Sequence, residues 1–266
     1  MGLLEAVLRS PTWRQRLWAW WYPFFTRRIR DQKIDFLNYS FATSSHAPLA
    51  LQPEDELNRP NLQLYAHVTA GGPWTGARVL EVSSGHGGGA SYLTRTYQPL
   101  SYVGLDLNPA AVQYCEGRHA VKGLTFKRGN ALALPFPDRT FDLLINVEAS
   151  HCYPDFPKFL QEVARVLKPQ GTFYYADLRP ADEVEGWLQD LTSEPALRLE
   201  RMQLINPEVL AGMRLNTPRY TAMVQRAFPS YLQKITLDFA GVEGSRIYNE
   251  LAAGNLSYRS FRLQRL

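Results

Sequence analysis

At 266 residues, 45% hydrophobic and 20% charged, the chain is long enough for one well-cored globular unit and too apolar to be disordered. A formal net charge of +4 is too small to argue for a nucleic-acid partner. The two cysteines, Cys115 and Cys152, show neither metal-ligand spacing nor a disulfide pattern, so no metal is expected and a reducing, cytoplasmic setting is.

Residues 1–75 read as an N-terminal extension, mostly helical, with a loop around 46–53. Trp13, Trp18, Trp20 and Trp21 crowd its start. The uncharged run 17–25 is too short to span a bilayer, and no small-residue cleavage site follows it. Two readings stand: an aromatic-basic anchor lying on a membrane surface, or, favoured here, a helix capping the core or a substrate pocket.

Residues 76–266 carry the pattern of an α/β domain. Arg78–Val82 is a short apolar strand and Gly88–Tyr97 a helix, with a glycine-rich turn between them. Residues 101–105 form strand two. Asn108 and Pro109 open the next helix, proline fitting its first turn. Strands three and four are expected at 124–127 and 141–146. Residues 156–167 are amphipathic and helical, ended by Lys168-Pro169-Gln170-Gly171. Strand five is expected at 172–177, a helix at 181–191 and strand six at Leu197–Leu204. Residues 206–254 read as a helical insertion interrupted by Pro218 and Pro229, before a final strand at 256–263. Alternating strands and helices imply a doubly wound, mostly parallel sheet with helices on both faces. The insertion is expected to sit as a lid over the carboxyl edge, where ligands bind in such folds.

Gly85-His86-Gly87-Gly88-Gly89-Ala90 matches G-x-G-x-x-G/A, and Asp106 follows about twenty residues on. Alone, this allows a nicotinamide dinucleotide. The glycines let backbone N–H groups approach a ligand, and Asp106 can accept both hydrogen bonds of a ribose diol. Three features tilt the reading. Glu81 lies where a carboxylate disfavours a pyrophosphate and suits a cationic amino-acid moiety. Gly129-Asn130-Ala131 places a polar side chain and free N–H groups where an adenine edge could be read. Val147-Glu148-Ala149-Ser150-His151 puts a polar cluster at the catalytic edge.

On these residues, 78–177 resembles the class I S-adenosylmethionine-dependent methyltransferases. VLEVSSGHGGG looks like the family's first motif, VGLDLNP its second, RGNALALPFPDRTFDLLINVEASHCYP its third and fourth, and LKPQGTFYYAD its strand-five signature. EVSSGHGGGASYLTRT and NVEASHCYPDF are similar to the mycobacterial phthiotriol/phenolphthiotriol dimycocerosate O-methyltransferases and their fatty-acid or polyketide relatives, as are YPFFTRR…FLNYSF and LSYRSFRL. The resemblance implies a seven-stranded Rossmann-like fold and S-adenosyl-L-methionine as methyl donor. Gly85, His86 and Gly87 would line the methionine part. Asp106 would take the ribose, Leu107 would pack on adenine, and Asn130 and Ala131 would read its edge; Glu81, Asn146 and Tyr39 complete the expected set. Ser83 replaces the family's usual glycine and needs a permissive backbone, and Asn130 replaces its usual aspartate. For these and other residues plainer roles stand alongside: a turn for Asn130, a helix cap for Asp106 or His151, an Asx turn for Asp177.

An aliphatic hydroxyl is a poor nucleophile while protonated, so a base assists its methylation. His151 is the candidate, being mostly neutral at pH 7 if its pKa is ordinary. Glu148 would orient it or meet the substrate hydroxyl, and Asp177 would support it. His46, His67 and His119 are assigned to loop or helix surface. The resulting expectation is O-methylation of a small hydrophobic, hydroxylated, lipid-like or polyketide-derived molecule. The alternatives are C-methylation of a sterol- or quinone-type ring and a cofactor-binding protein without transfer activity.

Overall fold

The computed structural model describes residues 34–43 and 49–266. The tryptophan-rich segment, Tyr22 and His46 lie outside the described residues. Residues 34–43 run without regular structure, and a 3-10 turn at Pro53–Asn58 leads into α1, Arg59–Val68.

The sheet is built from β1 Arg78–Val82, β2 Ser101–Asp106, β3 Leu124–Arg128, β4 Phe141–Val147, β5 Leu167–Pro180, β6 Leu197–Leu204 and β7 Leu256–Arg265. Their order is β3-β2-β1-β4-β5-β7-β6. The first five are parallel, and β7 runs antiparallel between β5 and β6. The order reverses between β1 and β4, the switch point at which this class of sheet opens a crevice.

The helices follow as α2 Gly88–Tyr97, α3 Pro109–Arg118, α4 Phe156–Val166 and α5 Val184–Ser193, then α6 Asn206–Ala227, α7 Ser230–Ala240 and α8 Arg246–Ala252 between β6 and β7. Strand alternation divides the core. Val79 of β1 and Tyr174 of β5 pack against α1, α2 and α3 on one face. Leu80, Val82, Phe173 and Tyr175 pack against α4 and α5 on the other. α4 forms because its apolar residues recur at helical spacing, burying Phe159, Leu160 and Val163, while the Asp155 side chain caps its start by accepting the Lys158 N–H.

Two boundaries differ from expectation. The helix stops at Val166, as the tetrapeptide 168–171 implied, but strand five begins earlier than expected: β5 starts at Leu167 and takes these residues up in an irregularity, pairing Leu167 with Phe141 and Thr172 with Leu143. Gln170, at φ +66°, makes the turn, and a Cβ on Gly171 would lie 2.8 Å from the Lys168 carbonyl. Pro218 does not interrupt the insertion; α6 runs through it for 22 residues. Its fixed φ is compatible with a helix, and tertiary contacts hold the turn. Asn216 donates to Ser40 Oγ and Asn61 Oδ1, and a Cβ on Gly212 would lie 2.4 Å from the Phe41 nitrogen. α6 thereby grips residues 40–41, and α6 and α7 enclose Ile34 and Leu37 in an apolar cluster with Met223, Val224 and Phe228.

Candidate active site

Residues 34–41 cross the carboxyl edge of the sheet as a strap. Asp35 is its anchor at one end. Its carboxylate accepts from Arg118 Nε and Nη2 at 3.0 and 2.9 Å and from Tyr114 Oη at 2.9 Å. The Asp35 carbonyl accepts the Gly88 N–H at 2.9 Å. Leu37 then lies over Gly85, 3.4 Å from where a Cβ would stand. At the far end the Tyr39 N–H donates to Glu148 Oε2 at 2.8 Å, and Phe41 is tied to α1 through the Pro60 carbonyl.

Beneath the strap the glycine turn follows β1. Gly85 and Gly87 stand at φ +55° and +78°, the left-handed region open to glycine, and a Cβ on Gly87 would come within 3 Å of Phe126, Cys115 and His119. Ser83 occupies the same region at φ +59° and is held there by a 2.6 Å bond to Tyr153 Oη. Asn146 Nδ2 donates to that Tyr153 oxygen and to the Val82 carbonyl, both at 2.9 Å, which leaves the Tyr153 proton for Ser83. This pins β1 to β4 at the switch point. Tyr153 carries no motif that singles it out; only its distance of seven residues from Asn146 hints at it.

Asp106 ends β2. Its Oδ2 accepts the Gly85 N–H at 2.9 Å and its Oδ1 the Asn108 N–H at 2.8 Å; burial raises its pKa to about 6 against these bonds. The cap of α3 is Asn108, whose side chain accepts from Ala110, so Asp106 is not spent on capping. Leu107 beside it is 51% exposed, an uncovered apolar platform. Across the cleft Asn130 accepts the Leu132 N–H at 2.9 Å in a turn, with Ala131 buried behind it.

Several expected contacts are placed otherwise. Glu81 does not reach toward a ligand: it shares the face of Val79, and both its oxygens are taken, by Tyr65 Oη at 2.9 Å and Tyr102 Oη at 2.7 Å. Burial pushes this carboxyl up to about 7. The His86 ring turns into the protein, Nδ1 at 2.7 Å from the Ile34 carbonyl, and burial lowers its pKa to about 4. The Tyr39 ring packs on Gly241 at the end of α7, and it is Leu37 that faces the glycine turn. His119 and His67 are half-buried and partnered: Nε2 of His119 meets the His86 carbonyl at 2.8 Å, and His67 stacks on Phe41 at 4.6 Å and meets Ser260 Oγ at 3.2 Å.

The polar cluster after β4 is assembled at the end of β5. His151 Nδ1 and Asp177 Oδ1 are 2.8 Å apart, and the His151 backbone N–H donates to Asp177 Oδ2 at 2.9 Å. A carboxylate only accepts, so Nδ1 carries hydrogen and Nε2 is the nitrogen that gains or loses a proton. Burial opposes charge on this imidazole, but the adjoining Cys152 and the Asp177 carboxylate outweigh it and hold its pKa well above the ordinary value. The expectation of a mostly neutral His151 at pH 7 assumed an ordinary pKa, and this surrounding shifts the ring toward its charged form. The Asp177 carboxyl is also buried, yet His151 and Arg179 keep it well below the usual range.

Glu148 stands at φ +55°, an uncommon conformation for a side-chain-bearing residue and one that recurs at functional sites. Its N–H donates to the Ala176 carbonyl at 2.7 Å, and its Oε2 accepts from Tyr39 N and Tyr258 Oη, each at 2.8 Å. Burial drives its pKa to about 8 despite these donors. The site thus offers a hydrogen-bonded His–Asp pair and a carboxyl that burial keeps protonated below about pH 8 at one end, and a buried carboxylate with an apolar platform at the other. At the switch point Asn146 Oδ1 is buried and without a partner, a position that a ligand's donor would satisfy, whereas Ser84 Oγ, also unpartnered, faces Gly104 of β2 beside Phe126. These features fit a nucleoside bearing an amino-acid tail. No group of three or more metal-ligating side chains occurs among the described residues, and no helix among them is long and apolar enough to cross a membrane.

The family model described as "Methyltransferase domain" matches residues 80–175. The phthiotriol/phenolphthiotriol dimycocerosates methyltransferase of Mycobacterium tuberculosis is 46% identical over 258 residues, covering 97% of this chain and 95% of that protein. The fatty-acid O-methyltransferase of Mycolicibacterium smegmatis is 42% identical over 240 residues, covering 90% and 86%. Among solved structures, geranyl diphosphate C-methyltransferase from Streptomyces coelicolor, crystallised with Mg2+, geranyl diphosphate and S-adenosyl-L-homocysteine, superposes with a TM-score of 0.65 at 16% identity, covering 95% of this chain and 98% of that one.

Proposed function

The chain belongs to the S-adenosylmethionine-dependent methyltransferases, and from that premise we propose that it methylates an oxygen of a long, apolar, lipid-like or polyketide-derived acceptor. The observation that carries the reading is the His151–Asp177 pair at 2.8 Å, set at the carboxyl ends of β4 and β5 beside Glu148. The names of the relatives at 46% and 42% identity support a lipid acceptor. So do the apolar walls formed by Leu37 with α6 and α7.

S-adenosylmethionine would supply an electrophilic methyl on a sulfonium, with a neutral thioether as the leaving group. Asp106 would hold its ribose, Leu107 its base, and Asn146 and the turn at Gly85–Gly87 its remaining polar groups, with Leu37 of the strap excluding water. As the acceptor oxygen bonds carbon, His151 Nε2 takes the hydroxyl proton, and Asp177 stabilises the imidazolium that results. Glu148, protonated below about pH 8, donates to or orients the acceptor oxygen. The base form of His151 must first be generated. A cationic donor bound beside the ring would favour its neutral form.

The raised pKa of His151 also favours a second reading, in which the acceptor is a carboxylate. Such an oxygen is already ionised and needs no base, and the imidazolium would act as its counter-ion. The test is transfer of labelled methyl to a long-chain secondary alcohol and to a long-chain fatty acid. An ester is released by alkali, an ether only by strong acid or boron halide, and a C-methyl by neither. With an alcohol acceptor, His151→Ala should reduce kcat by about 10²-fold or more; with a fatty acid the loss falls mainly on KM. A label resistant to both cleavages would replace O-methylation with C-methylation.

A further inference from the structure

Below His151 lies a hydrogen-bond relay whose direction is set by its ends. Trp187 Nε1, a donor only, meets Tyr175 Oη at 3.0 Å. Tyr175 gives its own proton to Ser150 Oγ at 2.6 Å, and Ser150 gives its proton to Asp177 Oδ2 at 2.6 Å. Arg179 enters from the side. Its Nη2 donates to Ser150 Oγ at 2.9 Å, its Nη1 to the Leu178 carbonyl at 2.7 Å, and Nη1 stands 3.3 Å from Asp177 Oδ2. The guanidinium is held between the rings of Trp187 and Phe156, 4.9 and 5.5 Å from their centroids, and the residue is only 9% exposed.

A buried arginine is costly to desolvate, and here its charge is spent on one carboxylate oxygen. Asp177 divides its two oxygens accordingly. Oδ1 serves His151 Nδ1 and the Leu178 N–H, each at 2.8 Å, while Oδ2 serves Ser150, Arg179 and the His151 backbone.

We propose that Arg179 is a positioning residue for His151: by holding Oδ2 it shares the charge of Asp177 between two cations and limits how firmly Oδ1 retains the imidazolium proton. The proposal rests on the reading of His151 as proton acceptor. Without Arg179 the full carboxylate charge would act on the ring at hydrogen-bond distance in a low-dielectric setting, and the base would keep its proton to a higher pH than it does with Arg179 in place. The other groups that face this pair leave that logic intact. Glu148 and Cys152 flank the ring from its own turn, with Tyr258 of β7 on Glu148, and Glu183 and Asp190 face the guanidinium from the side of α5.

The test uses the full chain with Arg179→Met, which keeps an apolar stem between the two rings, and Arg179→Lys, which keeps a charge. Two quantities are read: the titration of His151 by NMR of histidine-labelled protein, and the rising limb of kcat/KM against pH. Binding of S-adenosylhomocysteine reports folding. In Arg179→Met both midpoints should rise by about one pH unit, with the rate lost at pH 7 recovered at pH 9; in Arg179→Lys they should stay within roughly a third of a unit. A folded Arg179→Met with neither midpoint moved overturns the proposal. If Arg179→Met does not fold, Ser150→Ala removes the hydroxyl link between the guanidinium and Oδ2, leaving only the 3.3 Å direct approach, while keeping every charge. It should raise the His151 midpoint by a fraction of a unit, and an unmoved or lowered midpoint overturns the proposal. Persistence of the wild-type limb in His151→Ala would instead remove the base assignment, whatever Arg179 does to the NMR titration.

Discussion

The backbone N–H of Tyr39 donates to Glu148 Oε2 at 2.8 Å, joining two residues 109 positions apart in the chain. The strap over the glycine turn and the turn that carries His151 therefore share one carboxyl group. The protonation of Glu148 is felt by both, because an ionised oxygen accepts the Tyr39 N–H more strongly than a neutral one.

Glu148 makes stability depend on pH. Its pKa is about 8 in the folded protein against 4.5 when free. Between these values the unfolded chain has lost a proton that the folded chain keeps. The contribution is full below about pH 4.5 and is lost as pH rises toward 8. Glu148→Gln keeps an oxygen for Tyr39 and Tyr258 and has no such titration. Thermal unfolding at pH 5 and pH 8 should show wild type losing about 3–4 kcal/mol more than Glu148→Gln across that interval. Parallel losses in the two proteins would show that Glu148 is not buried as described.

Tyr65→Phe removes one of the two phenols that favour ionised Glu81, whose pKa is already raised to about 7. The folded pKa then rises further, so the penalty grows with pH. Denaturant unfolding should give a loss of about 1–3 kcal/mol at pH 8 and clearly less at pH 5. A penalty independent of pH would assign the effect to packing alone.

Asp106→Ala should weaken S-adenosylhomocysteine binding by about 10²-fold or more in a calorimetric titration, through lost ribose bonds and a loosened Gly85. Asn108→Ala is the control. It removes the cap of α3 and should cost about 1 kcal/mol of stability with little change in affinity. Equal effects on binding from the two variants would speak against a ribose role for Asp106.

Asp35→Ala releases the strap from Arg118 and Tyr114. Limited proteolysis should then cut within residues 34–43 several-fold faster than in wild type, and added S-adenosylhomocysteine should restore part of the protection. An unchanged cleavage rate would mean that the clusters around Leu37 and Phe41 hold the strap without its ionic anchor.

The strands and the helices α2 and α4 were legible because their apolar residues recur with periods the chain cannot disguise. The turn bearing Glu148 and His151 was legible because polar residues directly follow a buried strand. Glu81 is near the glycines in sequence, yet it shares the strand face of Val79 and turns toward α1, where Tyr65 and Tyr102 take both its oxygens. Pro218 was judged by local propensity, which the contacts of Asn216 and Gly212 overrode. Asp35, Tyr153, Arg179 and Tyr258 carry no sequence motif of their own. Each gains its importance from a partner on another element, and a single sequence does not announce such pairings.

β7 lies between two strands that precede it in the chain, and Tyr258, which bonds Glu148, lies on it. During synthesis, then, β5 emerges with a bare edge and stays so while some eighty further residues are added, as the span from Pro180 to Leu256 requires. The right half of the sheet is therefore a late, long-range assembly step, with an exposed strand edge open to association with other chains until it is completed. A site that depends on Tyr258 matures only after that gap is filled.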